Sequence, residues 1–201
     1  LGLRLFACSD IHLRLNLLED VLRDSRNADL AVCLGDITVF NKGLEAALEN
    51  VRRLNEHVMI IPGNNEPPGL LEEKAVEKGL IFMHSRKVFF KGFTFAGVGG
   101  SLYTPFKTPF EMGEDGFKQI LSGFKGSKNL ILLSHSPPFN TALDLTSSGE
   151  HIGSVELRRF IEGESPLVCL CGHVHERAGV SEKVGNTLVV NPGAKGMLLE
   201  V

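Results

Sequence analysis

Apolar runs of strand length alternate with helical patterns along the first third of the chain. Leu3–Ser9, Leu30–Leu34 and Val58–Ile61 read as strands. Leu15–Arg26 reads as a helix with Leu18, Val21 and Leu22 on one face. Lys42–Asn55 reads as another, with Leu44, Ala47, Leu48, Val51 and Leu54 in register. Pro67–Lys78 is a short helix with proline at its start. Three strand–helix units in succession predict a mostly parallel sheet with right-handed crossovers.

The pattern then changes. Lys87–Lys91 and Phe93–Val98 read as a hairpin or meander, Glu114–Phe124 as a helix and Asn129–Ser134 as an apolar strand. Ser136–Gly153 is a long polar loop, a length that is uncommon without a function. Ser154–Glu162 is a helix and Leu167–Cys171 a strand. Arg177–Val184, Thr187–Val190 and Lys195–Val201 are β segments separated by Gly and Pro turns. Two packed sheets with helices outside accommodate these elements.

Composition narrows the function classes. The 201 residues suit one domain, and a net charge of -3 argues against a protein that grips long nucleic acid. No stretch approaches the ~18 apolar residues of a membrane span, and no secretory signal is evident. Cys8, Cys33, Cys169 and Cys171 lie inside apolar runs and read as small buried hydrophobes. Reduced thiols and the missing signal give a cytoplasmic expectation.

The chemistry lies at the strand ends. Five apolar strands each lead into a metal-competent side chain: Ser9-Asp10-Ile11-His12, Gly35-Asp36, Gly63-Asn64-Asn65-Glu66, Ser134-His135 and Gly172-His173-Val174-His175. Ligands of open α/β sheets bind beyond the carboxyl ends of the strands. If these segments are extended, residues i and i+2 point the same way. Asp10 and His12 then reach one ion together, as does a pair such as His173 and His175. Glycines before Asp36, Asn64 and His173 let the backbone turn sharply. Imidazoles mixed with carboxylate and amide oxygens suit Zn, Mn, Fe or Ni better than Ca or Mg. Each motif alone is a weak signal; their joint order is what carries the reading.

That order resembles the calcineurin-like metallophosphoesterase superfamily, from Leu3 to about Gly193. Ser134-His135-Ser136-Pro137-Pro138 and Asn191-Pro192-Gly193 are also similar to small single-domain members. The resemblance implies a single domain, 1–201, with the α/β fold of a four-layer α/β/β/α sandwich: two mixed sheets flanked by helices. It implies two divalent metal ions, one held by Asp10, His12, Asp36 and His175, the other by Asp36, Asn64, His135 and His173, with Asp36 bridging. The expected activity is hydrolysis of a phosphate ester of a small molecule or nucleotide, a phosphodiester or activated ester above all. A metal-bridging hydroxide would attack phosphorus, between ions about 3.5–4 Å apart.

One position departs from the family pattern. The histidine that usually follows the ligand asparagine is Asn65 here, and an amide is no general acid near neutral pH. Poor leaving groups should therefore be handled badly. Glu66 fills the usual acidic place, with a supporting role. His151, in the long loop after His135, is a candidate to fold over the site and supply the missing proton. The contrasting readings are a catalytically weak interaction scaffold of the same fold, which Asn65 alone favours, and a nuclease, which the absent basic surface disfavours. The expected partner is a small phosphorylated substrate; the sequence leaves oligomeric state open.

Overall fold

The computed structural model of the chain describes residues 2–14 and 18–201. The start of the first expected helix, 15–17, lies outside the described residues. β1 (Arg4–Cys8), β2 (Leu30–Cys33), β3 (Val58–Ile60) and β4 (Ile81–Phe82) run parallel. With β11 (Met197–Glu200) antiparallel at the edge they form a sheet of order β11-β1-β2-β3-β4. The second sheet has the order β5-β6-β7-β8-β10-β9. Its strands are β5 (Lys87–Phe90), β6 (Phe93–Val98), β7 (Leu130–Ser134), β8 (Val168–Leu170), β9 (Ser181–Val184) and β10 (Thr187–Val190). Its outer strands β5 and β9 are antiparallel to their neighbours.

Alternation along the strands builds the layers, because successive side chains of a strand face opposite ways. Leu5 and Ala7 of β1, Leu30 and Val32 of β2, and Ile131 and Leu133 of β7 meet in the core between the sheets. Phe6, Cys8, Ala31 and Cys33 point the other way, onto α1 (Leu18–Ser25), α2 (Leu44–Arg52) and α3 (Pro68–Glu77). Leu130, Leu132 and Cys169 pack outward against α4 (Glu114–Ser122) and α5 (Val155–Glu164), whose inner faces carry Phe117, Leu121, Leu157 and Ile161. The result is the expected helix–sheet–sheet–helix sandwich. All four cysteines are buried and free, as small members of these cores.

Two elements depart from the expectation. β4 is missing from the sequence reading because two residues give no alternation to detect. The expected strand Arg177–Val184 begins only at Ser181; the chain before it makes a 3₁₀ turn at His175–Arg177. Among the described residues no helix is long and apolar enough to cross a membrane.

Candidate metal centre

Register places the site. Cys8 pairs with Cys33 and Cys33 with Ile60, so β1, β2 and β3 end level. Leu133 pairs with Leu170, which levels β7 with β8 in the facing sheet. The loops that follow lock together. The Asp10 amide donates to the Gly35 carbonyl and the His12 amide to Asp36 O, both at 3.0 Å, while Gly172 N donates to His135 O at 2.9 Å. Two glycines permit this closeness. A Cβ on Gly63 would lie 2.0 Å from Asp36 Oδ1, and one on Gly172 would lie 1.9 Å from Ser9 Oγ.

The segments are not extended at the ligand candidates. Asp10, His12, Asp36 and His173 adopt positive φ of 58, 45, 51 and 70°. Such a conformation costs of order 1–3 kcal/mol for a non-glycine residue and persists where surrounding bonds enforce it. The expectation that i and i+2 spacing alone aims these side chains is therefore corrected: left-handed turns do it. His173 and His175 consequently diverge and serve different halves of the cluster.

In one half, Asp10, His12, Asp36 and His175 each offer a ligand atom, all within 4.8 Å of one another. His12 Nε2 is 3.1 Å from His175 Nε2 and 3.5 Å from Asp36 Oδ2, and His175 Nε2 is 3.4 Å from Asp10 Oδ1. In the other, His135 Nε2 lies 3.7 Å from Asp36 Oδ1 and 3.0 Å from Asn64 Oδ1, which His173 Nδ1 approaches at 2.9 Å. Asp36 is the carboxylate common to both.

The donor chemistry fits cations. His12 Nδ1 is 2.7 Å from the Thr38 carbonyl and His135 Nδ1 is 2.8 Å from the Leu34 carbonyl. A carbonyl only accepts, so both Nδ1 atoms carry a proton, the tautomer that in a neutral ring turns the Nε2 lone pair inward. The His135 lone pair then faces the lone pairs of Asn64 Oδ1. Acceptors this close repel unless a cation lies among them.

Electrostatics agree. Burial pushes the His173 pKa down to about 4 and keeps its ring neutral. Burial alone would raise the Asp10 carboxyl, but His175, through its hydrogen bond and its charge, outweighs it and holds it below the usual carboxylate range. The bond to Asp10 in turn raises His175.

Glu66 and Asn65 brace Asp36. Fully buried Glu66 accepts from Asp36 N and Gly63 N on one oxygen and from Thr38 N and Oγ1 on the other, at 2.7–3.0 Å. Burial, and then Asp36, raise its carboxyl above the ordinary glutamate value. Asn65 donates its backbone N–H to Asp36 Oδ1 at 2.9 Å and its side-chain amide to Oδ2 at 2.7 Å, while its own Oδ1 accepts from Phe40 N.

His151 is not brought into the cluster. Its Nδ1 is 2.7 Å from Asp144 Oδ1, a fully buried carboxylate, and its ring packs edge-on against Phe139. The same loop reaches the site through Thr146, Glu150 and Ile152. Residues that the sequence reading missed include Arg14, whose guanidinium donates to Asp10 O at 2.9 Å, and the aromatic rings beside the cluster. Nothing in the local sequence separates these rings from ordinary exposed phenylalanines and tyrosine.

Comparison with known proteins gives the family. The sequence is 38% identical over 175 residues to an uncharacterised protein of Methanocaldococcus jannaschii, covering 84% of this chain and 78% of that one. The crystal structure of TT1561 of Thermus thermophilus superposes with a TM-score of 0.79 at 20% identity, covering 97% of this chain and 91% of that one. A phosphopantetheinyl hydrolase from Mycobacterium tuberculosis gives a TM-score of 0.72 at 12% identity, with 94% and 88% coverage. These two likenesses are ones of fold. The Calcineurin-like phosphoesterase profile matches residues 3–177, and the chain belongs to that family.

Proposed function

We propose that the protein hydrolyses a phosphate ester of a small molecule with two divalent metal ions held across Asp36. The observation that supports it most is the set of inward lone pairs on His12, His135 and Asn64 around one shared carboxylate. Asp10, His12, Asp36 and His175 would hold one ion; Asp36, Asn64, His135 and His173 the other. Ions so placed supply Lewis acidity, which activates water and neutralises the charge that develops on the phosphoryl oxygens. The nitrogen-rich donor set favours Mn, Zn, Fe or Ni.

The chain's own residues supply the positioning. Asn65 and Glu66 hold Asp36 and its turn in place. Backbone carbonyls of Leu34 and Thr38 fix the tautomers of two histidines. In the overall reaction a water oxygen bonds to phosphorus, the phosphorus–oxygen bond to the ester alcohol breaks, and the alcohol leaves with a proton. Asn65 cannot supply that proton, and its amide is already engaged with Asp36. Esters of acidic alcohols are therefore the favoured substrates.

The test strips the protein of metal, returns single metals, and assays aryl phosphomonoesters, aryl phosphodiesters and cyclic nucleotides. Metal-dependent turnover that falls steeply as leaving-group pKa rises is expected. Turnover indifferent to metal would overturn the reading.

A further inference from the structure

Beside the metal centre opens a cavity of about 560 Å³, within the range that holds small-molecule ligands. Its floor includes His12, Asp36, Asn64 and His173, and its outer wall carries Phe40, Tyr103 and Phe106. These rings are 50, 76 and 74% exposed, an unusual amount of aromatic surface to leave in water. They stand on anchored segments. Glu111 Oε1 accepts from Thr104 Oγ1 and from Thr108 N and Oγ1, and Phe110 N donates to Asn64 O at 2.9 Å. The loop bearing Tyr103 and Phe106 is thus tied to a ligand candidate. Phe40 N is tied to Asn65 at 2.9 Å.

The remaining polar groups say what kind of ligand fits. Glu150 and Glu176 line the same cavity. Their carboxylates repel a further phosphate and accept hydrogen bonds from hydroxyl or ring N–H groups. A second cavity, about 630 Å³, shares His175 and carries Asp10, Arg14 and Lys195 but no phenylalanine or tyrosine.

We infer that Phe40, Tyr103 and Phe106 form a stacking cradle that selects phosphate esters bearing a planar aromatic group. The inference rests on the phosphoesterase reading above. The ring belongs either to a nucleoside or to a free aromatic alcohol; in both, stacking on side-chain rings is the shared chemistry. Tyr103 and Phe106 are specificity-determining residues of this reaction and take no part in bond breaking.

The test uses non-hydrolysable or product-like pairs, so that ring binding is read apart from leaving-group chemistry. Mn(II)-loaded protein is titrated calorimetrically with phenylphosphonate against methylphosphonate, and with adenosine 5′-monophosphate against ribose 5-phosphate. The ring-bearing member of at least one pair should bind about tenfold tighter or more. The ratio should fall toward one in Tyr103→Ala and Phe106→Ala and be retained in Tyr103→Phe. The chain has one tyrosine and no tryptophan, so tyrosine emission reports on the cradle alone. It should be quenched by the preferred ring, after correction for ligand absorbance. Preference in the nucleotide pair alone identifies a nucleoside; preference in the phosphonate pair alone identifies a free aryl group. Equal affinity within both pairs overturns the cradle while leaving the phosphoesterase reading intact. Failure of all four compounds to bind the metal-loaded protein overturns that reading and the cradle with it.

Discussion

Two histidines of the cluster, one from each half, are set at very different depths. His135 is wholly buried, pinned to Leu34, and faces a nearly buried Asn64. His175 has half of its side chain in solvent and stands on a 3₁₀ turn rather than directly at a strand end. His135 is part of the packing between the sheets as well as a ligand candidate, whereas His175 stands clear of that packing. Changes to His135 should cost fold and function together, and changes to His175 function only.

Asp36 belongs to both halves, and its replacement should produce the largest effect. Asp36→Asn is expected to lower metal-dependent kcat/KM by more than the about 10–100-fold that supporting residues of metal sites typically cost. Steady-state assay at saturating metal checks this; a loss no greater than that of His175→Ala would remove Asp36 from its shared role.

The two histidines separate in stability. His135→Ala leaves a buried gap and an unpaired Leu34 carbonyl, and should lower unfolding free energy by about 2–4 kcal/mol. His175→Ala, half exposed, should stay within about 0.5 kcal/mol of the parent in metal-free protein. Denaturant unfolding of both variants decides it, and equal destabilisation would erase the contrast in depth.

Asn65→Ala tests the bracing of the shared carboxylate. It removes the amide donor to Asp36 Oδ2 and the acceptor for Phe40 N, and about tenfold weaker metal binding is expected. Competition with a metal chelator gives the value. Unchanged metal affinity would show that the backbone N–H of Asn65 suffices.

Acid sharpens the comparison through a histidine outside the cluster. Burial drives the His84 pKa down to about 4 from 6.5. Its Nδ1 accepts from Gly99 N at 2.9 Å. The unfolded chain then binds the proton more readily than the folded one. The contribution of His84 is complete above the unfolded value of 6.5 and is lost as pH falls toward about 4. The expected slope is about 1 kcal/mol per pH unit in that window. His84→Gln keeps an acceptor and should flatten the slope in metal-free protein. A slope unchanged in His84→Gln would remove His84 as its source.

Much of this was legible in the sequence because strand and ligand signals coincide. The apolar runs Leu3–Ser9 and Leu30–Leu34 need only side-chain polarity to be seen, and the Asp, Asn and His types at the ends of such runs name the candidates without any geometry. Conformation was not legible. Positive φ at Asp10, Asp36 and His173 depends on contacts between loops of different strands, and no local pattern encodes them. For the same reason Asn65 read as a vacancy where a proton donor belongs, although its amide is committed to Asp36 and Phe40. His151 read as a group facing the site, although Asp144, seven residues earlier in the chain, holds its Nδ1. The cradle rings were invisible because an exposed aromatic residue acquires meaning only from what it stands beside.

If Asp36 joins two metal ions in one cluster, anomalous diffraction from crystals grown with saturating Mn(II) will show two peaks per chain, one among Asp10, His12 and His175, the other among Asn64, His135 and His173, with the Asp36 carboxylate touching both. A single peak, or two peaks with Asp36 bound to neither, would rule out a shared carboxylate.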